Sequence, residues 1–114
     1  MIVALGFLVA AACGAVLRAV LGGRLNVPGG PAWGTLAINI TGSFALGLLA
    51  GTSPEAATIL GTGLLGAYTT FSSFARDVAG ALELRQFTLA AGYVMASLFG
   101  SIGAAWLALE LRGL

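Results

Sequence analysis

The segment Gly66-Ala67-Tyr68-Thr69-Thr70-Phe71-Ser72-Ser73-Phe74 is polar and begins with glycine, yet it lies in the middle of an uncharged hydrophobic run, Ala56–Ala75. A helix of about 20 residues spans roughly the ~30 Å hydrocarbon core of a bilayer, so this run predicts a membrane span. The polar segment falls near the midplane, where an unpaired polar group is costly. Its hydroxyl groups therefore need a partner, which a permeating ion or a facing helix would supply.

The composition places the whole chain in a membrane. Of 114 residues, 59% are hydrophobic and 8% are charged, whereas a soluble domain is about 25% charged. The charged residues divide the sequence into uncharged runs of membrane-spanning length. We expect a multi-pass, all-α membrane protein with one domain, 1–114, and four spans at about 2–21, 32–51, 55–79 and 86–109. A cleaved signal peptide is disfavoured, because no basic region precedes the first apolar run.

Short connections between the spans require an up-down-up-down bundle. Four spans leave little interior for a passage, so we expect a dimer. Arg24, Arg76 and Arg85 fall on the side of the first and third connections, and Arg112 falls on the other side. The positive-inside rule therefore favours the first and third connections in the cytoplasm.

The third span carries signals for an interruption. Glycine weakens a helix interior and threonine is a modest helix former, so Gly66, Thr69 and Thr70 are consistent with a break near the midplane. A break frees backbone carbonyl groups, which are tolerated at this depth when buried or ligated. A continuous helix with threonine hydroxyl groups bonded back one turn fits the same residues equally well.

Two aromatic residues follow the predicted break. Phe71 and Phe74 are three residues apart and share one helical face. An aromatic ring has a positive edge, and edges turned into a narrow passage attract a small anion without trapping it; ordinary packing is the alternative. Hydroxyl donors flank the two rings at Thr69, Thr70, Ser72 and Ser73.

Two other spans carry polar residues. Asn39 lies in span two, with Thr35 one turn before it, and its amide needs a partner in hydrocarbon. It serves either a passage or a hydrogen bond between helices. In span four, Tyr93, Ser97 and Ser101 recur every four residues and form one polar stripe. The stripe is either a wet lining or a set of serines bonded to their own backbone.

The charges and reactive groups exclude several functions. Arg18 lies near the end of span one, where it either snorkels to the interface or makes an electropositive vestibule. The carboxylates all lie at the ends of spans rather than in their interiors (Glu55, Asp77, Glu83 and Glu110), and histidine is absent. Since no nucleophile–base pair, phosphate loop or cluster of metal-ligating side chains appears, we expect no enzyme activity. No nucleic-acid partner is expected.

These residues resemble the Fluc fluoride channel family, also called CrcB. The likeness covers nearly the whole chain and rests on three segments: Gly14–Arg18, Gly34–Phe44 and Gly66–Phe74. The resemblance implies an antiparallel, dual-topology dimer in the inner (plasma) membrane of a prokaryote. It also implies that two pores at the dimer interface let cytoplasmic fluoride leave passively.

The resemblance further implies roles for individual residues. Phe71 and Phe74 match the positions whose ring edges line the fluoride path, and Asn39 matches the pore amide. A hydroxyl-bearing lining is matched by Ser72, Ser73, Tyr93, Ser97 and Ser101. Arg18 matches the vestibule arginine. The backbone carbonyl groups of Gly66 and Thr69 match the ligands of a structural Na⁺ shared by both subunits.

Two features depart from the family pattern. The arginine asymmetry is unexpected in a dual-topology protein, so a heterodimer with a related subunit remains an alternative to the homodimer. Tyr68, beside the predicted break, is larger than expected. The rival functions are a small four-helix proton-coupled multidrug exporter, which needs a carboxylate within span one, and a structural or regulatory subunit, which passes no ions alone.

Overall fold

The computed structural model describes all residues, 1–114, and every regular element in it is helical. The third predicted span consists of several pieces. Its first three are continuous and form one rod, 54–68, and its last piece is α5. The elements are α1 (Ile2–Leu25), α2 (Trp33–Leu48), α3 (Pro54–Ala56), a π-helical segment (Ala57–Leu65), α4 (Gly66–Tyr68), α5 (Phe71–Glu83) and α6 (Phe87–Leu111).

The helices differ in length from the predicted spans for local reasons. α1 continues beyond the predicted end at residue 21 and stops where Asn26 becomes extended. α2 ends at Leu48, three residues before the predicted end, because Gly51 turns the chain with φ +74°. α5 continues to Glu83, and Arg85 (φ 58°) makes the tight turn into α6. Rod 54–68 begins as predicted: the Ser53 hydroxyl accepts the Ala56 N–H at 3.2 Å, and Pro54 occupies the first turn.

Two helices, α1 and α6, are long and apolar enough to cross a bilayer, with mean hydropathies of 2.2 and 1.6. Only 12 of the 114 residues are buried, which is far too few for a core helix bundle in water. Trp33 and Trp106 lie at opposite ends of the bundle, and their side chains are exposed. Tryptophan is enriched at the two membrane interfaces, so the exposed apolar surface and its aromatic ends are those of a membrane protein.

Glycines set the helix contacts. A Cβ on Gly14 of α1 would collide with the backbone carbonyl of Leu64, so α1 and rod 54–68 touch backbone to backbone. A Cβ on Gly47 of α2 would lie 2.7 Å from Ala105 O of α6. Small residues permit such close approach in membranes. The result is two closely packed pairs, α1 with rod 54–68 and α2 with α6.

The helices alternate in direction as predicted. Arg112 Nη1, beyond the end of α6, donates to Leu48 O at the end of α2 at 2.8 Å. α2 and α6 therefore end at the same side of the bundle, as they must in an up-down-up-down arrangement. The guanidinium also satisfies a carbonyl that has no partner within α2.

The third span is broken. Thr69 (φ −74°, ψ 160°) and Thr70 (φ −150°, ψ 117°) are extended, whereas Gly66 (φ −63°, ψ −36°) is helical. Of the two alternatives that the sequence left open, the break is present, and it follows Tyr68 rather than Gly66. The Thr69 hydroxyl nevertheless donates to Leu65 O, one turn back, at 2.9 Å. Because Thr69 itself is extended, this bond lies at the end of the rod.

Candidate functional site

Asn39 holds the break. Its Oδ1 accepts the Thr70 N–H at 2.8 Å, and its Nδ2 donates to Thr70 O at 3.0 Å. One side-chain amide thus replaces the two backbone hydrogen bonds that Thr70 would make in a continuous helix. Because Thr70 is 7% exposed, water cannot replace these bonds. Asn39 therefore makes the hydrogen bond between helices that the sequence offered as one alternative, and one Nδ2–H remains for another acceptor.

Thr70 starts α5. Its Oγ1 accepts the Ser73 N–H at 3.1 Å, which is the usual role of a capping threonine, and lies 3.2 Å from Ser72 Oγ. The N-terminus of α5, with the positive end of its dipole, is thereby directed to the level of the break. Ser72 is exposed and Ser73 is half-buried, so the two predicted lining hydroxyls stand in different surroundings.

Arg18 reaches the break from α1. Its Nη1 donates to Thr69 O at 3.3 Å, and the side chain is half-buried. In the folded chain the guanidinium is therefore directed to the break, and its predicted place at a vestibule stays a prediction. It places a positive charge beside the extended residues. The guanidinium and Asn39 thus bind successive residues of the break from two different helices.

Phe71, Phe74 and Tyr93 form a short aromatic series. The centroids of Phe71 and Phe74 are 5.8 Å apart with ring planes at 44°, and those of Phe74 and Tyr93 are 5.4 Å apart at 29°. Phe74 is half-buried against α6, whereas Phe71 is 78% exposed and projects out of the chain. The two phenylalanines share a helical face, as predicted, but only one of them packs within the subunit.

The polar stripe of α6 has three members in distinct states. The Tyr93 hydroxyl donates to Asp77 Oδ2 of α5 at 3.3 Å. Ser97 is 8% exposed, and its Oγ has no hydrogen-bond partner. Ser101 is half-buried. A buried hydroxyl group without a hydrogen-bond partner is uncommon and costs stability. The Ser97 hydroxyl is therefore a hydrogen-bond donor that has no acceptor within the chain.

A cleft beside the break opens at the surface of the chain. It is lined by Asn39, Gly42, Ser43, Leu46, Gly61, Leu65, Gly66 and Thr69. A Cβ on Gly42 would collide with the Thr69 side chain, so glycine is needed for α2 to approach the break. The cleft brings Gly66 and Thr69 to the same surface as Asn39.

Any cation in this cleft would have to be held by neutral oxygens. No cluster of His, Cys, Asp or Glu in the chain has the geometry of a metal site, so backbone carbonyl groups are the available ligands, as at the unwound helices of sodium-coupled transporters. Thr69 O accepts one bond from Arg18 and keeps a second lone pair. Because two carbonyls cannot complete a coordination shell, such a site needs oxygens from elsewhere.

Three contacts escaped the sequence analysis. Asp77 binds Tyr93, but it was treated as a charge at a span end. The Tyr68 hydroxyl lies 2.9 Å from Thr41 Oγ1 and so connects the rod to α2. Asn26 binds the start of α2 through its side chain. The unusual size of Tyr68 was the only one of these signals visible in the sequence.

Comparisons with known proteins identify the family to which this chain belongs. A family model described as "CrcB-like protein, Camphor Resistance (CrcB)" matches residues 5–109. A protein of Bordetella avium named "Fluoride-specific ion channel FluC" is 47% identical over 112 residues, covering 90% of this chain and 88% of its own. Its namesake in Rhizobium meliloti is 43% identical over 109 residues, with coverages of 88% and 87%. "Fluoride-specific ion channel FluC 1" of Symbiobacterium thermophilum is 45% identical over 115 residues, with coverages of 90% and 91%.

The match extends over almost the entire chain and includes all three segments on which the resemblance was based. Relatives with more than 40% identity and nearly complete mutual coverage leave no room for an unrelated fold. The chain therefore belongs to the CrcB family, as the sequence motifs predicted.

Proposed function

We propose that this chain is a fluoride-selective channel through which cytoplasmic fluoride leaves the cell passively. The observation that carries the proposal is the identity of 43–47% to relatives named as fluoride-specific ion channels. The family is one of ion channels, so the chain is not an enzyme. The proton-coupled exporter is not favoured, because α1 contains no carboxylate and none of these relatives is named as an exporter.

Fluoride is small and strongly hydrated, so a path for it must replace water with hydrogen-bond donors. The remaining Nδ2–H of Asn39, the orphaned Ser97 hydroxyl and the ring edges of Phe71 and Phe74 supply such groups. Ser72, Ser73, Tyr93 and Ser101 complete the proposed lining. No carboxylate belongs to this set, which suits a passage for an anion.

The path requires two copies of the chain. Phe71 is 78% exposed near the bilayer centre, and the cleft at the break opens outward, so one chain supplies only one wall. We propose that a second copy, antiparallel to the first, supplies the other wall and that two pores result. The heterodimer with a related subunit remains the alternative, because the arginine asymmetry persists.

The structural Na⁺ belongs to the same proposal. The Gly66 and Thr69 carbonyl groups of two copies would give four oxygens at the shared interface, twice the number that one chain supplies. The ion would supply positive charge that stabilises the freed carbonyl groups. Arg18 then acts at the break as well as in attracting anions. The inner membrane of a prokaryote is the proposed location.

The proposal is tested by replacing Phe71 or Phe74 with isoleucine. Phe71→Ile removes an exposed ring, and Phe74→Ile removes a packed one, so their effects on stability differ. We expect both variants to lower fluoride efflux from proteoliposomes, with the dimer fraction in size-exclusion chromatography unchanged for Phe71→Ile. Wild-type efflux in both variants would contradict the assignment of the pathway.

A further inference from the structure

Asn26 joins the ends of two helices. Its backbone N–H donates to Gly22 O at 3.0 Å and ends α1. Its side-chain Oδ1 accepts the N–H groups of Gly34 at 2.7 Å and Thr35 at 3.1 Å, in the first turn of α2. Its Nδ2 donates to Thr35 Oγ1 at 3.1 Å. One residue thus makes four hydrogen bonds that connect α1 to α2.

The bonds to α2 replace a local cap. Ala32 occupies the capping position of α2 and has no side chain that accepts a hydrogen bond. The N–H groups of the second and third helical residues are therefore satisfied from outside the local sequence. Gly34 permits this arrangement, because a Cβ there would lie 2.8 Å from Asn26 Oδ1 and 3.1 Å from Leu21 O.

The same two helices hold the break. α1 supplies Arg18, which binds Thr69 O, and α2 supplies Asn39, which binds both backbone groups of Thr70. Arg18 lies about 12 Å along α1 from Asn26, and Asn39 lies about 8 Å along α2 from Gly34. The three bonds exist together only if α1 and α2 keep their relative position along the bundle.

We propose that Asn26 is a positioning residue: by fixing the end of α1 to the start of α2, it sets the register in which Arg18 and Asn39 hold Thr69 and Thr70. The connection between α1 and α2 is otherwise rich in glycine and proline and makes few contacts of its own. Asn26 is therefore the only residue between α1 and α2 that hydrogen-bonds to both helices. Its side chain binds the start of α2, and its backbone N–H binds the end of α1.

The test compares Asn26→Ala with Asn26→Asp. Alanine removes the acceptor, whereas aspartate keeps an acceptor for the Gly34 and Thr35 N–H groups at a helix N-terminus that favours negative charge. Amide hydrogen exchange of Thr70, measured by NMR in nanodiscs, reports the break directly. We expect Asn26→Ala to accelerate exchange of Thr70 at least about 5-fold, together with that of Gly34 and Thr35, and Asn26→Asp to restore wild-type exchange at all three amides.

Gln86→Ala is the matched control, since Gln86 is exposed at the start of α6 and its side-chain amide makes no capping hydrogen bond. It should leave Thr70 exchange unchanged. Gly34→Ala is a second perturbation, because its new Cβ displaces Asn26 Oδ1; it should accelerate Thr70 exchange as Asn26→Ala does. If Asn26→Ala does not fold, Asn26→Asp and Gly34→Ala still decide the matter.

The inference is overturned if Asn26→Ala or Gly34→Ala accelerates exchange only at the start of α2 and leaves Thr70 at the wild-type rate. It is also overturned if Asn26→Asp exchanges at Thr70 as fast as the alanine variant. Loss of fluoride efflux in Asn26→Ala is a further expectation that rests on the proposed function. A wild-type protein that passes no fluoride would refute that function without affecting the exchange result.

Discussion

Replacing Asn39 with leucine should destabilise the protein by more than the loss of one polar side chain usually does within a membrane. Leucine has nearly the same size, so the main loss is that of the two hydrogen bonds to Thr70, at 2.8 and 3.0 Å. Each buried backbone group that is left unpaired lowers the free energy of unfolding by about 1–3 kcal/mol. Hydrogen bonds measured between membrane helices contribute about 0.6 kcal/mol on average and at most about 1.7. Since Thr70 is 7% exposed, we expect the free energy of unfolding to fall by about 2 kcal/mol.

The assay is equilibrium unfolding of the purified protein in mixed micelles, with Thr58→Val as the control. The Thr58 hydroxyl donates only to Pro54 O of its own helix, at 2.8 Å, so this variant removes a polar group without removing a contact between helices. We expect the control to change the free energy of unfolding by no more than about 0.5 kcal/mol. An Asn39→Leu value within the same limit would refute the reasoning, because Asn39 would then not hold the break.

Three further predictions follow from other contacts. Ser97→Ala removes a buried hydroxyl that has no partner, so it should raise the free energy of unfolding by up to about 1 kcal/mol. Because this hydroxyl belongs to the proposed path, the variant should also lower fluoride efflux. Lower stability with normal efflux would contradict both expectations. Gly14→Ala forces a Cβ against the Leu64 carbonyl and should cost about 2 kcal/mol or more in the same unfolding assay, whereas Gly23→Ala, which points into open space, should cost nothing. Fluoride efflux should not change between about pH 6 and about pH 8, because the chain has no histidine; a proton-coupled exporter would respond to this change.

The sequence predicted an all-helical chain whose helical segments follow its hydrophobic runs, and two of these helices, α1 and α6, are long and apolar enough to cross a bilayer. It also located the break to within a few residues, since Gly66, Thr69 and Thr70 are poor helix formers at a depth where good ones are expected. It did not decide between a break and a continuous helix. That choice depends on Asn39, which lies in another helix and compensates Thr70 for the hydrogen bonds it loses.

Other features depend on tertiary contacts that spacing does not encode. The sequence suggested that Arg18 either snorkels or forms a vestibule, because its distance from the end of α1 is compatible with both; the freed Thr69 carbonyl provides a nearer partner. Asn26 was only one of many polar residues in a connection. Its role appears once the unsatisfied N–H groups of Gly34 and Thr35 are placed beside it.

The two phenylalanines show which part of the predicted arrangement could be read from spacing. Phe71 and Phe74 were expected on one face, and they lie on one, but Phe71 is exposed and Phe74 packs on Tyr93. The difference arises because Tyr93 of α6 covers the Phe74 ring and leaves the Phe71 ring uncovered. The roles of these rings in a fluoride path remain predictions.

As a fluoride channel, this chain should pass fluoride across a membrane and exclude chloride. The most direct measurement is efflux of each anion from proteoliposomes that contain only the purified protein, followed with ion-selective electrodes while valinomycin carries the balancing K⁺. We expect rapid release of fluoride, retention of chloride and no requirement for a proton gradient. Vesicles that retain fluoride, or that release chloride at a comparable rate, would contradict it.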